Sequence, residues 1–328
     1  MKQTKLFSAK KIVMIIVVIA FFTIYTLIWL KVFEKDTLIL TNNYSTKYID
    51  SDVSGLVNPQ DMAILNDNIL VSDSGTHSIE VLNFDGEYIR SIGSLGSAPG
   101  EFNKPHAIVV YGNEVYVLDS GNKRIQILDE ELNFNREINL TVNALTNSSE
   151  FSRMMVDESG IYLASQIIDE KATGKIIYMD YYGNTKLLHN NTFGDFLLYN
   201  GKSVFAKTSK HTEKGKFTNG TYKKVLLYSL DAKMKRIWAG IDTKLTYSEM
   251  VETKDGIVGL RPNGACIDFY INQRYDDSYP VGLACNEWGE VSKKARRYDM
   301  IYANDALYVC CDSGGLIIVS SMPTEAIT

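Results

Sequence analysis

The chain has 328 residues, 45% hydrophobic and 22% charged, enough to bury a large core and too apolar for a disordered protein. Residues 1–35 hold six Lys against one Glu, a net +5, so the whole-chain −5 leaves −10 for residues 36–328. A body that acidic repels phosphate backbones, which excludes nucleic acid as the main partner; six Pro and four Cys exclude a proline-rich stalk and a dense disulfide framework.

The first element in chain order is apolar. After a basic tail at residues 1–11, the stretch Ile12 to Leu30 carries no charge. A helix of that length matches a hydrocarbon core of about 30 Å. Lys2, Lys5, Lys10 and Lys11 precede it, whereas Lys31 and Lys35 are offset by Glu34 and Asp36, so the positive-inside bias puts the N-terminus in the cytoplasm. A cleaved signal peptide is the rival, but the run is long and Trp29-Leu30-Lys31-Val32-Phe33 offers no small-residue cleavage site. The expectation is a transmembrane signal-anchor helix over 12–32, single-pass in the cell membrane, with everything after it outside.

Residues 33–53 read as a linker containing a strand that could close a ring, either Thr37-Leu38-Ile39-Leu40 or Tyr44 to Ile49. From residue 54 a repeat takes over. Residues 56–93 and 102–136 superpose at an offset of 46: Pro59 answers Pro105, and Val71-Ser72-Asp73-Ser74-Gly75 answers Val117-Leu118-Asp119-Ser120-Gly121. Ile161-Tyr162-Leu163 continues the register. Within the first copy, Met62–Leu65, Ile69–Asp73, Ser78–Asn83 and Tyr88–Ile92 read as strands between turn residues, and four antiparallel strands in such a unit make one propeller blade. Second strands begin at Ile69, Val115, Ile161, Val204, Ile257 and Leu307, which gives six blades, with five or seven as alternatives. The propeller is expected over 54–321 and a polar tail over 322–328.

Val117 to Ile125, Val-Leu-Asp-Ser-Gly-Asn-Lys-Arg-Ile, resembles the repeat of the NHL family, and Val71 to Ile79 does so too. The resemblance implies an all-β fold, a six-bladed β-propeller of the NHL/TolB-like kind. It also implies that Asp73 and Asp119 are repeat-defining turn residues, in which an Asp accepts from the following backbone N–H groups; Asp119 is placed to pair with Arg124.

Aligning the first strands makes equivalent pairs of Asp61-Met62, Ala107-Ile108, Arg153-Met154, Phe196-Leu197, Glu249-Met250 and Asp299-Met300. The second member reads as core. The first falls at the strand entrance, near the central channel. Asp61, Arg153, Glu249 and Asp299, with His106 nearby, are therefore the candidate ligand-binding rim, suited to a cationic group or to Ca²⁺, a cation that favours converging oxygen ligands. The plainer reading is a solvated rim with a weak Arg153 ion pair. The four His show no metal-ligand spacing, so the channel His cluster of the metal-dependent hydrolases and amidating lyase that share such a fold is not present. Cys266 and Cys285 are symmetric about residues 275 and 276, which makes them a candidate cross-strand disulfide; adjacent Cys310 and Cys311 should point to opposite faces.

The functional expectation is an extracytoplasmic binding or scaffold module for a protein, peptide or glycan at the cell envelope. Loop Gly93 to Lys104 and insertion Ile167 to Gly174 are its first candidate contacts. A metal-dependent hydrolase or lyase working in the channel, and a sensor acting through a membrane partner, are the alternatives.

Overall fold

A computed structural model describes residues 44–143, 146, 151–165, 174–190, 194–199, 202–207, 224–230, 236–242, 249–254, 256–261, 266–271, 274–279, 286–292, 294 and 298–321. The chain divides into two units, Met1–Asn43 and Tyr44–Thr328, and the described residues all belong to the second. The expected membrane helix at 12–32 lies outside the described residues, as do residues 167–173 of the insertion Ile167 to Gly174. Among those residues no helix is long and apolar enough to cross a membrane.

Six four-stranded antiparallel sheets are present among the described residues. The first contains β2 Pro59–Leu65, β3 Asn68–Asp73, β4 Ser78–Asn83 and β5 Tyr88–Ile92. The second contains β6 Pro105–Tyr111, β7 Glu114–Asp119, β8 Arg124–Leu128 and β9 Phe134–Asn139. The third runs β10 Arg153–Asp157, β11 Gly160–Ala164, β12 Lys175–Met179 and β13 Thr185–Asn190. The fourth is β14 Gly194–Tyr199, β15 Lys202–Lys207, β16 Lys224–Ser229 and β17 Arg236–Asp242, and the fifth β18 Glu249–Thr253, β19 Gly256–Leu260, β20 Ile267–Ile271 and β21 Arg274–Tyr279.

The sixth sheet joins both ends of the unit. Its strands β22 Tyr298–Ala303, β23 Ala306–Cys311 and β24 Gly315–Ser321 come last in the chain, and its fourth strand is β1, Tyr44–Ile49, paired antiparallel to β24 from Tyr44↔Ser321 to Ile49↔Leu316. An edge that would expose the amides of β24 is thereby covered. First strands pack in succession, β2 on β6, β6 on β10, β10 on β14, β14 on β18, β18 on β22 and β22 on β2, so the ring closes on itself.

The sequence dictates this radial stacking. One blade is a thin sheet with apolar residues on both faces, and only a neighbouring blade on each side can bury them. The cores accordingly lie between blades: Leu70, Ile79 and Val81 of the first sheet pack with Ile108, Val115 and Val117 of the second, and Met154, Ile161 and Leu163 of the third with Leu118, Ile125 and Ile127. Ile69, Val115, Ile161, Val204, Ile257 and Leu307, the expected second-strand starts, are all buried. So are Met62, Ile108, Met154, Leu197, Met250 and Met300, the apolar members of the entrance pairs. Cys310 faces the first blade and Cys311 the fifth, as adjacent strand positions must.

Local turn chemistry agrees. Ala303 and Ala306 are paired across Asn304 and Asp305, whose φ values of 48° and 58° are the two positive dihedrals of a tight hairpin turn. In the fifth blade Ile271 pairs with Arg274, so this hairpin turns three residues earlier than the symmetry of the cysteines suggested. Ile267 faces Tyr279, and buried Cys266 therefore stands one step before a ladder that ends well short of residue 285; Cys285 itself lies outside the described residues. A helix that the repeat pattern did not announce, Asn286–Ser292, precedes the last blade and buries Trp288 completely against Tyr298.

Candidate functional site

Two layers of polar residues sit at the entrance ends of the first strands. The outer layer is the Asp-Ser-Gly turns. Asp73, fully buried, accepts from the backbone N–H groups of Val57 (2.7 Å), Asn58 (3.0 Å), Gly75 (2.7 Å) and Thr76 (3.2 Å). One carboxylate thus ties the turn after the second strand to the segment entering the first. Asp119 does the same in the second blade, accepting from Asn103 N at 2.8 Å, and its other oxygen takes Arg124 Nε at 2.9 Å. The expected Asp119–Arg124 pair is present and buried.

Arg124 extends this tie to the inter-blade loop. Its guanidinium also donates to the carbonyls of Ser97 (2.9 Å), Ala98 (3.0 Å) and Glu101 (2.8 Å), and to Glu137 at 2.7 Å. Gln126 Nε2 donates to Glu101 O at 2.6 Å and its Oε1 accepts from Gly100 N at 2.9 Å; Asn122 holds Gly96 O at 2.8 Å. Loop Gly93 to Lys104 is thus fixed from below by three side chains while Leu95 stands 63% exposed. His77 Nδ1 accepts from Lys104 N at 3.0 Å, which fastens the loop's far end to the first blade.

The inner layer is the strand-entrance ring. Asp61 Oδ2 accepts from Ile108 N in the second blade at 2.9 Å, and Asp299 Oδ2 accepts from Met62 N in the first at 2.8 Å. Each carboxylate hooks the backbone of the following blade at the equivalent residue. Arg153, in the third blade, reaches across the ring: it donates to Glu249 Oε1 of the fifth blade at 2.5 Å, to Tyr298 O of the sixth at 3.2 Å and to Gln60 O of the first at 3.5 Å. The side chains of Arg153 and Glu249 are 7% and 6% exposed. The solvated-rim picture is therefore corrected: this is a buried ion pair at the centre of the ring, stabilised only because both partners are present. His106 is half-buried, and its carbonyl accepts from Ser72 Oγ at 2.6 Å.

Among the described residues no group of three His, Cys, Asp or Glu is placed to hold a metal ion; Asp299 and Asp61 share the Met62 N–H, Asp61 also takes that of Ile108, and Glu249 takes Arg153. Sequence reasoning missed a third-strand position. Glu80, Gln126 and Asp268 occupy it in the first, second and fifth blades, all buried. Glu80 is satisfied by the hydroxyls of Thr76 (2.9 Å), Ser78 (2.6 Å) and Ser91 (3.2 Å), and Asp268 by a two-pronged Arg261 at 2.8 and 2.7 Å. A lone polar residue inside an apolar strand, repeated at the 46-residue offset between Glu80 and Gln126, was the available signal.

Comparison with known proteins agrees with this geometry. Residues 50–234 match the family model DUF5128, described as a 6-bladed beta-propeller. No curated protein matches the chain. Among solved structures, virginiamycin B lyase from Staphylococcus aureus superposes with a TM-score of 0.53 at 8% identity, covering 85% of this chain and 100% of that one. A luciferin-regenerating enzyme gives 0.57 at 10% identity, covering 84% and 96%. A Bacteroides fragilis protein described as exported gives 0.54 at 12% identity, covering 86% and 96%. Identities this low establish a shared fold and nothing more.

Proposed function

The chain belongs to the DUF5128 family of 6-bladed β-propellers, and from that premise we propose a binding module, tethered at the cell envelope by residues 12–32, that offers its loop face to a protein or peptide. The observation that carries this reading is the contrast between the two layers. The centre of the ring is filled by Arg153 and Glu249, which are occupied with each other and with the backbones of two further blades. The loop Gly93 to Lys104 is held rigid by Arg124, Gln126 and Asn122, yet it presents Leu95 outward. Rigid presentation lowers the entropy that a binding surface loses on engagement. The NHL-like turns support the same reading, since their Asp residues fix the loops rather than meet solvent.

Catalysis at the ring centre is the alternative, raised by the names of two structural neighbours, a lyase and a luciferin-regenerating enzyme. The full-length protein in detergent distinguishes the two. Virginiamycin B should remain unconverted, and peptides selected on the wild-type protein should lose affinity for Leu95→Asp. Turnover abolished by Glu249→Gln would overturn the binding reading.

A further inference from the structure

On the face opposite the Asp-Ser-Gly turns, where first strands turn into second and third into fourth, blades two and three carry a dense patch of tyrosine. Tyr111 and Tyr181 are 38% and 42% exposed, and Tyr182 is 93% exposed. The patch is continuous across the two blades: burial first, then Tyr111, Asp157 and Glu114, raise the Tyr181 hydroxyl pKa, while a hydrogen bond with Tyr116 lowers it in part. Beside it the Tyr162 ring lies tilted against Tyr178 and Phe196, with centroids 5.2 and 6.5 Å away.

The patch is held in shape by hydrogen bonds of its own. Tyr181 Oη donates to Asp157 O and Tyr178 Oη to Ser159 O, both at 2.6 Å, which fix these rings over the β10–β11 turn. Asp180 accepts from Tyr182 N and from Asn184 N, each at 2.9 Å, and from Asn184 Nδ2 at 2.9 Å. This turn holds Tyr182 outward, where its ring gains nothing from the fold. A large aromatic kept in water on a locked turn is arranged for a partner.

The charges around it choose the partner. Glu114, Asp157, Glu158 and Asp180 lie at the turns that carry these rings, and Asn184 holds the Asp180 carboxyl below its ordinary range, so it is ionised at neutral pH. Arg136 and Glu114 neutralise each other, and Asp157, Glu158 and Asp180 outnumber the one exposed cation of the strand that follows, Lys186, opposite Tyr178. Exposed aromatic faces rimmed by carboxylates, on a body carrying −10, attract cationic side chains through both the ring quadrupole and the net field. We infer that the Tyr111–Tyr181–Tyr182 patch is a second interaction surface, on the face away from the loop Gly93 to Lys104, that receives an Arg- or Lys-bearing segment of a partner protein.

The probe is an oligoarginine peptide titrated into the full-length protein in a neutral detergent, with oligoglutamate and a neutral oligosaccharide as comparisons. Binding should appear with oligoarginine alone and weaken as salt is added. Tyr182→Ala combined with Tyr111→Ala should cost about three- to tenfold in affinity, whereas Val142→Ala, 83% exposed on the other face, should cost nothing. Tyr182→Trp should bind at least as tightly as wild type and Tyr182→Leu less tightly, because only a cation over a ring distinguishes them. The exposure of Tyr182 keeps each of its variants folded. Equal affinity across all variants would reduce the effect to net charge and overturn the inference. Preference for the oligosaccharide, or self-association abolished by the tyrosine changes, would overturn it in favour of a glycan or a second copy.

Discussion

Replacing Arg153 by methionine would remove the guanidinium from the ring centre while keeping most of its volume. Glu249, its side chain only 6% exposed, would then be left as a buried carboxylate without its counter-charge. Breaking a buried pair from one side costs about 3–5 kcal/mol, far more than an exposed pair contributes. For a domain of this size each kcal/mol moves the midpoint by roughly 2 °C, so the variant should melt about 6–10 °C lower. The double variant Arg153→Met with Glu249→Gln removes both charges and should recover much of the loss, since the pair's Coulombic gain is largely offset by its own desolvation. Circular-dichroism melts of wild type, both single variants and the double variant close the cycle, and a coupling of about 2 kcal/mol or more is expected. If the single variants melt within roughly 1 °C of wild type, the pair is solvent-screened and the sealed-centre argument fails.

Three further outcomes follow from the same contacts. Deleting Tyr44–Ile49 strips the fourth strand from the last sheet and the buried Ile49 from its core, at about 1.5–3 kcal/mol for that side chain alone. The truncated protein should melt lower and bind hydrophobic dye; a melt matching the full chain would refute ring closure by β1. Arg124→Ala should release the loop, so that hydrogen exchange at the Gly96 and Phe102 amides, now bonded to Phe102 O and Ser94 O, accelerates by about tenfold or more. Unchanged exchange would show that the loop holds itself. Burial pushes the Tyr162 hydroxyl up to about 12, and Tyr116, Tyr298 and Tyr308 shift the same way for the same reason. The folded state then keeps protons that the unfolded chain releases near pH 10, so stability is intact below about pH 10 and falls progressively as the pH rises above it. A step in tyrosinate absorbance that coincides with the loss of fold is the expected trace.

How far the sequence reached depends on whether the governing contact was local. The six second-strand starts were legible because a buried apolar run after a turn marks itself within a few residues, and each of them is in a second strand. Asp73 and Asp119 were legible as turn residues because part of their work is done within three or five positions, on Gly75, Thr76 and Arg124. Helix Asn286–Ser292 was not, since it is too short to show a period and Trp288 is fixed by a blade that follows it in the chain. The hairpin of the fifth blade differs for a related reason: the symmetry of the two cysteines points to a centre at residues 275 and 276, whereas the ladder runs from Ile267 facing Tyr279 to Ile271 facing Arg274.

The strand-entrance ring shows why a residue's place in the repeat is legible in the sequence while its partner across the ring is not. Repetition brings the first members of six pairs to equivalent positions, and a ring with acids at all of them would repel itself. Where Asp stands, in the first and last blades, one oxygen hooks the next blade's N–H, at Ile108 and Met62. Ala107 in the second blade has no carboxylate to do this for Met154, and the third blade instead carries Arg153, whose length spans to the acid of the fifth. Arg153 and Glu249 are 96 residues apart, and only closure of the ring makes them neighbours. Asp61, Asp299, Arg153 and Glu249 are thus tied into the ring itself, through two hooks and one crossing ion pair. A ligand competing for Glu249 would have to match the hydrogen-bonded charge of Arg153 while leaving that guanidinium compensated. Such a substitution is steeply unfavourable in a buried setting, and the loop faces escape it.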